Sequence, residues 1–398
     1  MATFIGFHGV ILNMDTALVI LLIVLVNAYL IKAISNKFRI ASEGYVWLMF
    51  CIHFLLSTAY MVYAANTTSD SIAYYSKTTA AVNWLELWGI GTPFIHFLAW
   101  PFASLFGLSY YATMIIFSFF GYIAVLLFYV TAKENIQLKP VWHNLTGIEL
   151  VFLLPNLHFW SSSLGKGSVI LLGLAFFTYG LSRFNRRTIA LAIGGFLTFM
   201  IRPHILFTAV VSIMLGVVLT NSGIKPYLRW LIFLAAGIIF IYISDDVLKF
   251  AETDSLDILS SSSLSHRAAE LGKATTGVDL QNYGLFMKLF TFWFRPLFFD
   301  GQGLLGIIVS FENLVYLYMF FIVIKQGVLY WGDWNGWFRI CLFFFLFASF
   351  ALAQVTGNLG IAMRQKAQLM PFFFIIYCKA ISYKYYFSKS YLRNNGIG

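Results

Sequence analysis

The stretch Asp15–Ser35, DTALVILLIVLVNAYLIKAIS, is apolar along most of its length and is long enough to cross a membrane as one helix. Similar apolar stretches recur along the 398-residue chain. Overall, 60% of the residues are hydrophobic and only 11% are charged, whereas a typical soluble domain is roughly 25% charged. The sequence therefore predicts an all-α fold, that of a polytopic integral membrane protein.

The net charge of +10 does not indicate a nucleic-acid-binding protein. Most lysines and arginines lie in short loops between apolar stretches, where such residues set the orientation of a membrane protein. We therefore predict no nucleic-acid partner. The three cysteines lie within apolar stretches and lack the spacing of metal ligands, so we predict no metal site at them.

The basic loops also predict how the chain is threaded. Lys32, Lys37 and Arg39 follow the first apolar stretch, which places that end in the cytoplasm and the N-terminus outside. Continued along the chain, this rule gives about eleven membrane-spanning helices and a cytoplasmic C-terminus. The predicted spans are residues 15–35, 45–64, 110–131, 146–158, 167–182, 188–201, 230–244, 303–324, 340–356 and 368–384. One more span follows the turn at Arg202-Pro203-His204 and runs towards residue 225.

We predict a single transmembrane domain over residues 1–398. It includes an outer loop at 66–109 with an interfacial helix, and a long outer loop at 245–300. Two of the predicted helical hairpins are broken at their outer turns, at His158–Lys166 and at Arg202-Pro203-His204. Their arms are short for a hydrocarbon core of about 30 Å. Short, interrupted spans are typical of turns that lie in a cavity inside the protein, so we expect a cavity on the outer face.

Three arginines interrupt or border apolar stretches on the predicted outer side: Arg202, Arg295 and Arg364. A cation at membrane depth is costly unless it is paired, and its usual interpretation is a functional site. Arginine binds phosphate oxygens through two parallel hydrogen bonds, so we interpret the three as a pocket for an anion carried at the membrane surface, which points to lipid-linked phosphate chemistry. The alternative is that each arginine pairs with an acid of the Asp245–Asp300 segment or extends to the membrane interface.

Three further basic residues are candidates for the same site, because each lies on the predicted outer side. They are Lys166, Lys366 and Arg267.

Asp70 follows the second predicted span and is the leading candidate for a general base that deprotonates an acceptor hydroxyl. The alternative is that Asp70 caps the helix that follows it. His204, beside the broken turn, is the second catalytic candidate. The histidines His158, His204 and His266 have no regular ligand spacing, so hydrogen-bonded structure is favoured over a metal site.

Several short motifs resemble one family when they are taken in order. They are Asp70-x-x-x-Tyr74-Tyr75, Gly91-Thr-Pro-Phe-Ile, Gly107-Leu-Ser-Tyr, Leu154-Pro155, Phe159-Trp160-Ser161-Ser162 with Lys166, Arg202-Pro203-His204, and Gly357–Lys366 with Pro371. Over about residues 65–371 the chain resembles the bacterial polysaccharide polymerases of the O-antigen and exopolysaccharide type. These share architectural traits with the polytopic GT-C glycosyltransferases.

The resemblance implies transfer of a sugar or glycan from a polyprenyl diphosphate carrier on the outer face of the inner (plasma) membrane. It implies that the outer arginines hold the diphosphate and that Asp70 corresponds to the acidic residue of the first GT-C loop. GT-C enzymes often carry paired carboxylates there, whereas this chain has one Asp.

We therefore predict a membrane enzyme that transfers or polymerises polyprenyl-diphosphate-linked glycans. No cofactor is expected. The expected partners are the lipid-linked sugar, the lipid bilayer and proteins of polysaccharide assembly. Two alternatives stay open: a transporter or flippase for a lipid-linked or anionic solute, and a non-catalytic assembly protein.

Overall fold

The computed structural model describes residues 13–38, 42–66, 69–141, 145–220, 283–300, 303–356 and 358–394, and residues 225, 227, 228, 230, 231, 234 and 238. Over these residues the protein is helical, with no strand. The helices are α1 (Met14–Lys37), α2 (Glu43–Asn66), α3 (Asp70–Ala80), α4 (Thr92–Trp100), α5 (Tyr110–Asn135), α6 (Gly147–Val151), α7 (Pro155–Trp160), α8 (Lys166–Ser182), α9 (Thr188–Ile201), α10 (Pro203–Thr220), α11 (Leu285–Phe294), α12 (Gly303–Leu329), α13 (Gly336–Val355), α14 (Leu359–Lys366) and α15 (Met370–Asn394).

Within the described ranges, 6 helices are long and apolar enough to cross a membrane. Shorter apolar helices accompany them at Lys166–Ser182, Thr188–Ile201, Leu285–Phe294 and Met370–Tyr383. This agrees with the prediction of a polytopic α-helical membrane protein. The total of about eleven spans and the outer cavity stay predictions, and the predicted span at 230–244 lies largely outside the described residues.

The arm predicted at 146–158 is two short helices rather than one. Helix α6 begins with a capping box, in which the Thr146 hydroxyl accepts from the Ile148 N–H and the Glu149 carboxylate accepts from the Thr146 N–H at 2.7 Å. Glu149 also pairs with Lys133 at 2.8 Å. Helix α6 ends before Pro155, because a proline cannot continue the hydrogen-bond ladder and disfavours helix in the residue before it.

The chain forms two compact units, each made of two separate segments. The first unit comprises Met1–Thr131 and Leu157–Arg202, and the second comprises Ala132–Asn156 and Pro203–Gly398. In the first unit α8 and α9 form a close hairpin, and α3 packs on α4. In the second unit α10 packs on α13, while α15 packs on α12 and α13.

Two glycines allow α8 and α9 to approach closely. A Cβ atom at Gly194 would lie 2.2 Å from the backbone nitrogen of Phe177, and one at Gly180 would lie 2.6 Å from that of Leu191. No side chain fits at these distances. Small residues at helix contacts are typical of membrane helix pairs, where close backbone packing supplies the association energy.

The predicted outer loop at 66–109 contains α3 and α4, and α4 continues into one π-helical turn at Pro101–Leu105. Several apolar side chains of this region are exposed, among them Val82 at 94% and Leu85 at 71%. An exposed apolar face suits a membrane interface, and the interfacial position stays a prediction. Of the predicted loop at 245–300, residues 245–282 lie outside the described residues, and α11 lies within the remainder.

Candidate functional site

Lys366, the last residue of α14, lies inside the second unit with no exposed surface. Its ammonium group donates to the side-chain oxygen of Asn313 at 2.6 Å and to the carbonyl oxygen of Trp293 at 3.2 Å. A buried charge is costly unless hydrogen bonds and an opposite charge compensate for it. These contacts therefore fix the end of α14 against both α12 and α11.

Asn313 extends this connection to the arginine segment that follows α11. Its side-chain amide donates to the carbonyl oxygen of Pro296 at 2.7 Å, while its oxygen accepts from Lys366. Arg295 lies between Trp293 and Pro296, whose carbonyl oxygens both take part in the network. The segment around Arg295 and the segment that ends at Lys366 are thus joined, although they are about seventy residues apart in sequence.

Glu312 supplies the negative charge of this network. Its carboxylate accepts from the Tyr316 hydroxyl and from the backbone N–H of Asn156, at 3.2 and 3.1 Å to its two oxygens. Glu312 directly precedes Asn313, whose side-chain oxygen accepts from the Lys366 ammonium. Glu312 is only 6% exposed, and it lies within the apolar helix α12, so the interior of the second unit holds an acidic and a basic side chain, each with its own hydrogen bonds.

Arg295 has an acidic partner within its own turn. Its Nε donates to Asp300 Oδ2 at 2.8 Å, and its Nη2 donates to the other carboxylate oxygen. Burial alone would raise the pKa of Asp300, but hydrogen bonds from Arg295 and the Leu297 N–H outweigh it and hold that pKa below its usual value. The hydrogen bond with Asp300 is also the main cause that raises the pKa of Arg295. Arg295 therefore pairs with an acid of the Asp245–Asp300 segment, which is the alternative that the sequence allowed for this arginine.

Arg364 lies on α14 two residues before Lys366 and is half-buried. Since α14 packs on α11, the network holds the helix of Arg364 against the helix that ends at Arg295. Two of the three predicted diphosphate-binding arginines thus belong to neighbouring segments of the second unit.

Arg202 and Lys166 belong to the first unit. Arg202 is half-buried and follows the last residue of α9, so the helix is broken there as predicted. Lys166 is the first residue of α8 and is only 3% exposed. It follows a turn in which Ser161, Ser162 and Ser163 are all buried.

The two catalytic candidates differ in exposure. Asp70 is exposed and is the first residue of α3, and the cap position before it is taken by Ser69, whose hydroxyl accepts from the Ser71 N–H at 3.4 Å. His204 is buried near the start of α10, in the second unit. Arg267 and His266 lie outside the described residues.

A pair of buried histidines in the first unit was not predicted from the sequence. The Nδ1 atoms of His53 and His158 are 3.0 Å apart, and Nε2 of His53 is 2.9 Å from the carbonyl oxygen of Ser118. Because a carbonyl oxygen only accepts, Nε2 of His53 carries the proton, and in the neutral pair Nδ1 of His158 donates to His53. His158 is therefore hydrogen-bonded, as favoured from the sequence. Across the described ranges no three His, Cys, Asp or Glu side chains gather as a metal site.

Glu312, Asn313 and Tyr316 were also not predicted from the sequence. A signal for them was present, because Glu312 and Asn313 interrupt a long apolar stretch and ionisable residues at such positions mark functional sites. Their partners are distant in sequence and become apparent only in the folded chain. Comparison of this chain with protein-family models, with curated proteins and with solved structures finds no match.

Proposed function

We propose that this protein transfers or polymerises glycans carried on a polyprenyl diphosphate, at the outer face of the inner (plasma) membrane. One observation carries the proposal more than any other. In the second unit the segments that bear Arg295 and Arg364 are held together by hydrogen bonds from Lys366 and Asn313. A diphosphate carries several negative charges, and paired arginine segments provide the planar donors that suit its oxygens.

In this mechanism the diphosphate is the leaving group of glycosyl transfer, and negative charge develops on it as the glycosidic bond breaks. Guanidinium groups already fixed in position stabilise that charge more effectively than mobile ones. Arg364 would contact the phosphates, and Arg202, in the first unit, is a separate candidate for binding phosphate. Arg295 would contact the phosphates through Nη1, since its Nε and Nη2 donate to Asp300. Lys366, being fully buried, would position the arginine segments from behind.

The acceptor hydroxyl must lose a proton during the transfer. Asp70 is the first candidate for the base, because its carboxylate is exposed at the start of α3. His204 is the second candidate, because it follows directly after the Arg202-Pro203 break. Direct displacement of the diphosphate by the acceptor would invert the configuration at the anomeric carbon.

Transport of a lipid-linked or anionic solute is a second candidate function. It is favoured by Glu312 and Lys366, because buried ionisable residues inside apolar helices occur in transporters as well as in enzymes. The two functions differ in their product. A transferase forms a new glycosidic bond, whereas a transporter moves its solute unaltered.

Binding of polyprenyl diphosphate to the purified full-length protein tests the site. We expect Arg202→Lys and Arg364→Lys each to weaken binding roughly 10- to 100-fold, since each loses one bidentate charged hydrogen bond while keeping its charge. The dissociation constant is measured by native mass spectrometry in detergent.

Arg339 provides a matched control, because its guanidinium already donates to the backbone oxygens of Leu219 and Trp331 at 2.5 and 3.1 Å. Arg339→Lys should lower thermal stability and leave the dissociation constant unchanged. Unchanged binding in both Arg202→Lys and Arg364→Lys would exclude these arginines as the diphosphate site.

A further inference from the structure

The turn that joins α8 to α9 is strongly basic. Residues 183–187 read Arg-Phe-Asn-Arg-Arg, and the hairpin from Lys166 to Ile201 contains no Asp or Glu in its sequence. Residues Phe184–Arg186 form one 3₁₀ turn, which brings Arg183, Asn185 and Arg186 together at the tip. The hairpin therefore carries a net positive charge, most of which lies in this turn.

The third arginine of the turn is used within the fold. The guanidinium of Arg187 lies 3.8 Å from the ring centroid of Tyr179, and its Nη1 donates to the Ser182 hydroxyl at 3.0 Å. The same tyrosine ring makes an edge contact with Phe38, with centroids 6.4 Å apart. Arg187 thus ties the turn to the end of α1.

The contact between Phe38 and Tyr179 fixes the depth of the turn relative to the bilayer. Helix α1 has 24 residues and is long enough to span the membrane, so its basic end at Lys37 lies at the membrane surface. Phe38 follows Lys37 directly and touches Tyr179. The turn between α8 and α9 therefore lies at the height of the lipid headgroups.

An open cavity of ≈ 370 Å³ is lined by Arg183, Phe184, Asn185 and Arg186. Phe184 is 56% exposed, so an apolar ring stands beside two guanidinium groups. This combination matches an anionic phospholipid, whose phosphate would accept from the arginines and whose glycerol and upper acyl chain would lie against the ring. The nearest acidic residue in sequence to the end of α1 is Glu43, at the start of α2. Its carboxylate accepts a hydrogen bond from the Ser35 hydroxyl of α1 at 2.9 Å.

We propose that the guanidinium groups of Arg183 and Arg186 bind the phosphate of an anionic phospholipid in the leaflet that this turn faces. The charge rule predicts that leaflet to be the cytoplasmic one. The inference does not depend on the glycosyl-transfer proposal, because it concerns a different end of the first unit from the one that holds Asp70, Lys166 and Arg202. It assigns to this turn a specific lipid contact in addition to its role in orientation.

Native mass spectrometry of the purified full-length protein, titrated with phosphatidylglycerol or with phosphatidylcholine of the same chain length, tests this site. Replacing Arg183 and Arg186 together by Gln should weaken phosphatidylglycerol binding on the order of 30-fold. The doubly substituted Lys variant keeps the charge and should still bind several-fold more weakly than the wild type, since Lys lacks the planar donor pair.

The control replaces two exposed lysines elsewhere, Lys77 and Lys325, by Gln and should bind phosphatidylglycerol as the wild type does. Inorganic phosphate at millimolar concentration should not displace the lipid. Wild-type affinity in either arginine variant, equal wild-type affinity for the two lipids, or displacement by inorganic phosphate would overturn the proposal.

Discussion

The buried side chains of Lys366 and Glu312 strongly affect the stability of the second unit. Each side chain is enclosed by protein, and each has hydrogen bonds that replace those it would make with water. Buried ionisable groups of this kind contribute little net stability, yet removing one of them leaves its hydrogen-bond partners buried and unsatisfied, which is strongly destabilising. The network is therefore most sensitive to the loss of a single member.

Lys366→Met should destabilise the protein by about 3 to 5 kcal/mol, because the oxygens of Asn313 and Trp293 then lose their buried donor and Glu312 loses the nearby lysine. Adding Glu312→Gln to Lys366→Met should recover a substantial part of that loss. Thermal unfolding of the single and double variants, monitored by size-exclusion chromatography, measures the coupling between the two positions.

Lys77→Met is the control, because Lys77 is exposed on α3 and its loss should leave the melting temperature close to that of the wild type. Additive effects of Lys366→Met and Glu312→Gln would show that the two charges do not depend on each other.

At the scale of elements, the hairpin of α8 and α9 depends on one face of each helix. Gly194 faces the backbone of α8, with Phe177 nitrogen 2.2 Å from the position of a Cβ atom, whereas a Cβ atom at Gly195 would meet nothing within 4 Å. Neighbouring glycines thus have opposite surroundings, and only one of them is needed for packing.

Gly194→Ala should separate the two helices and lower the melting temperature, because the added methyl group overlaps backbone atoms that cannot move independently. Gly195→Ala should keep or slightly raise the melting temperature, since Ala favours helix over Gly by roughly 1 kcal/mol. Thermal unfolding of the two variants side by side provides the measurement. Equal melting temperatures would contradict the close approach of α8 and α9.

The helices that the sequence predicts best are long apolar stretches with polar ends. The predicted spans at 15–35, 45–64 and 188–201 match α1, α2 and α9 to within a few residues. The arm at 146–158 was predicted as continuous because its composition is apolar throughout. Its division into α6 and α7 depends on the cap at Thr146 and on Pro155, which outweigh the apolar pattern.

At the scale of the whole molecule, the two units interleave along the chain. Each consists of two segments that are separated in sequence, so no linker or change of composition marks a boundary between them. The sequence could identify Arg295, Arg364 and Lys366 as cations that interrupt or border apolar stretches. It could not identify Asn313 and Glu312 as their partners, because those contacts span more than fifty residues.

We propose that the protein forms a new glycosidic bond and breaks the bond between the glycan and its polyprenyl diphosphate carrier. The most direct test reconstitutes the full-length protein in proteoliposomes with a radiolabelled polyprenyl-diphosphate-linked glycan and follows the products by chromatography. We predict a longer glycan together with released polyprenyl diphosphate. Asp70→Asn should slow the reaction about 10²- to 10⁴-fold, as expected for loss of a general base. Ser69→Ala, which removes the cap of α3 and a hydrogen bond with the Ser71 hydroxyl, should keep the rate. Recovery of the glycan unaltered, whether it stays in place or crosses the bilayer, would contradict the account.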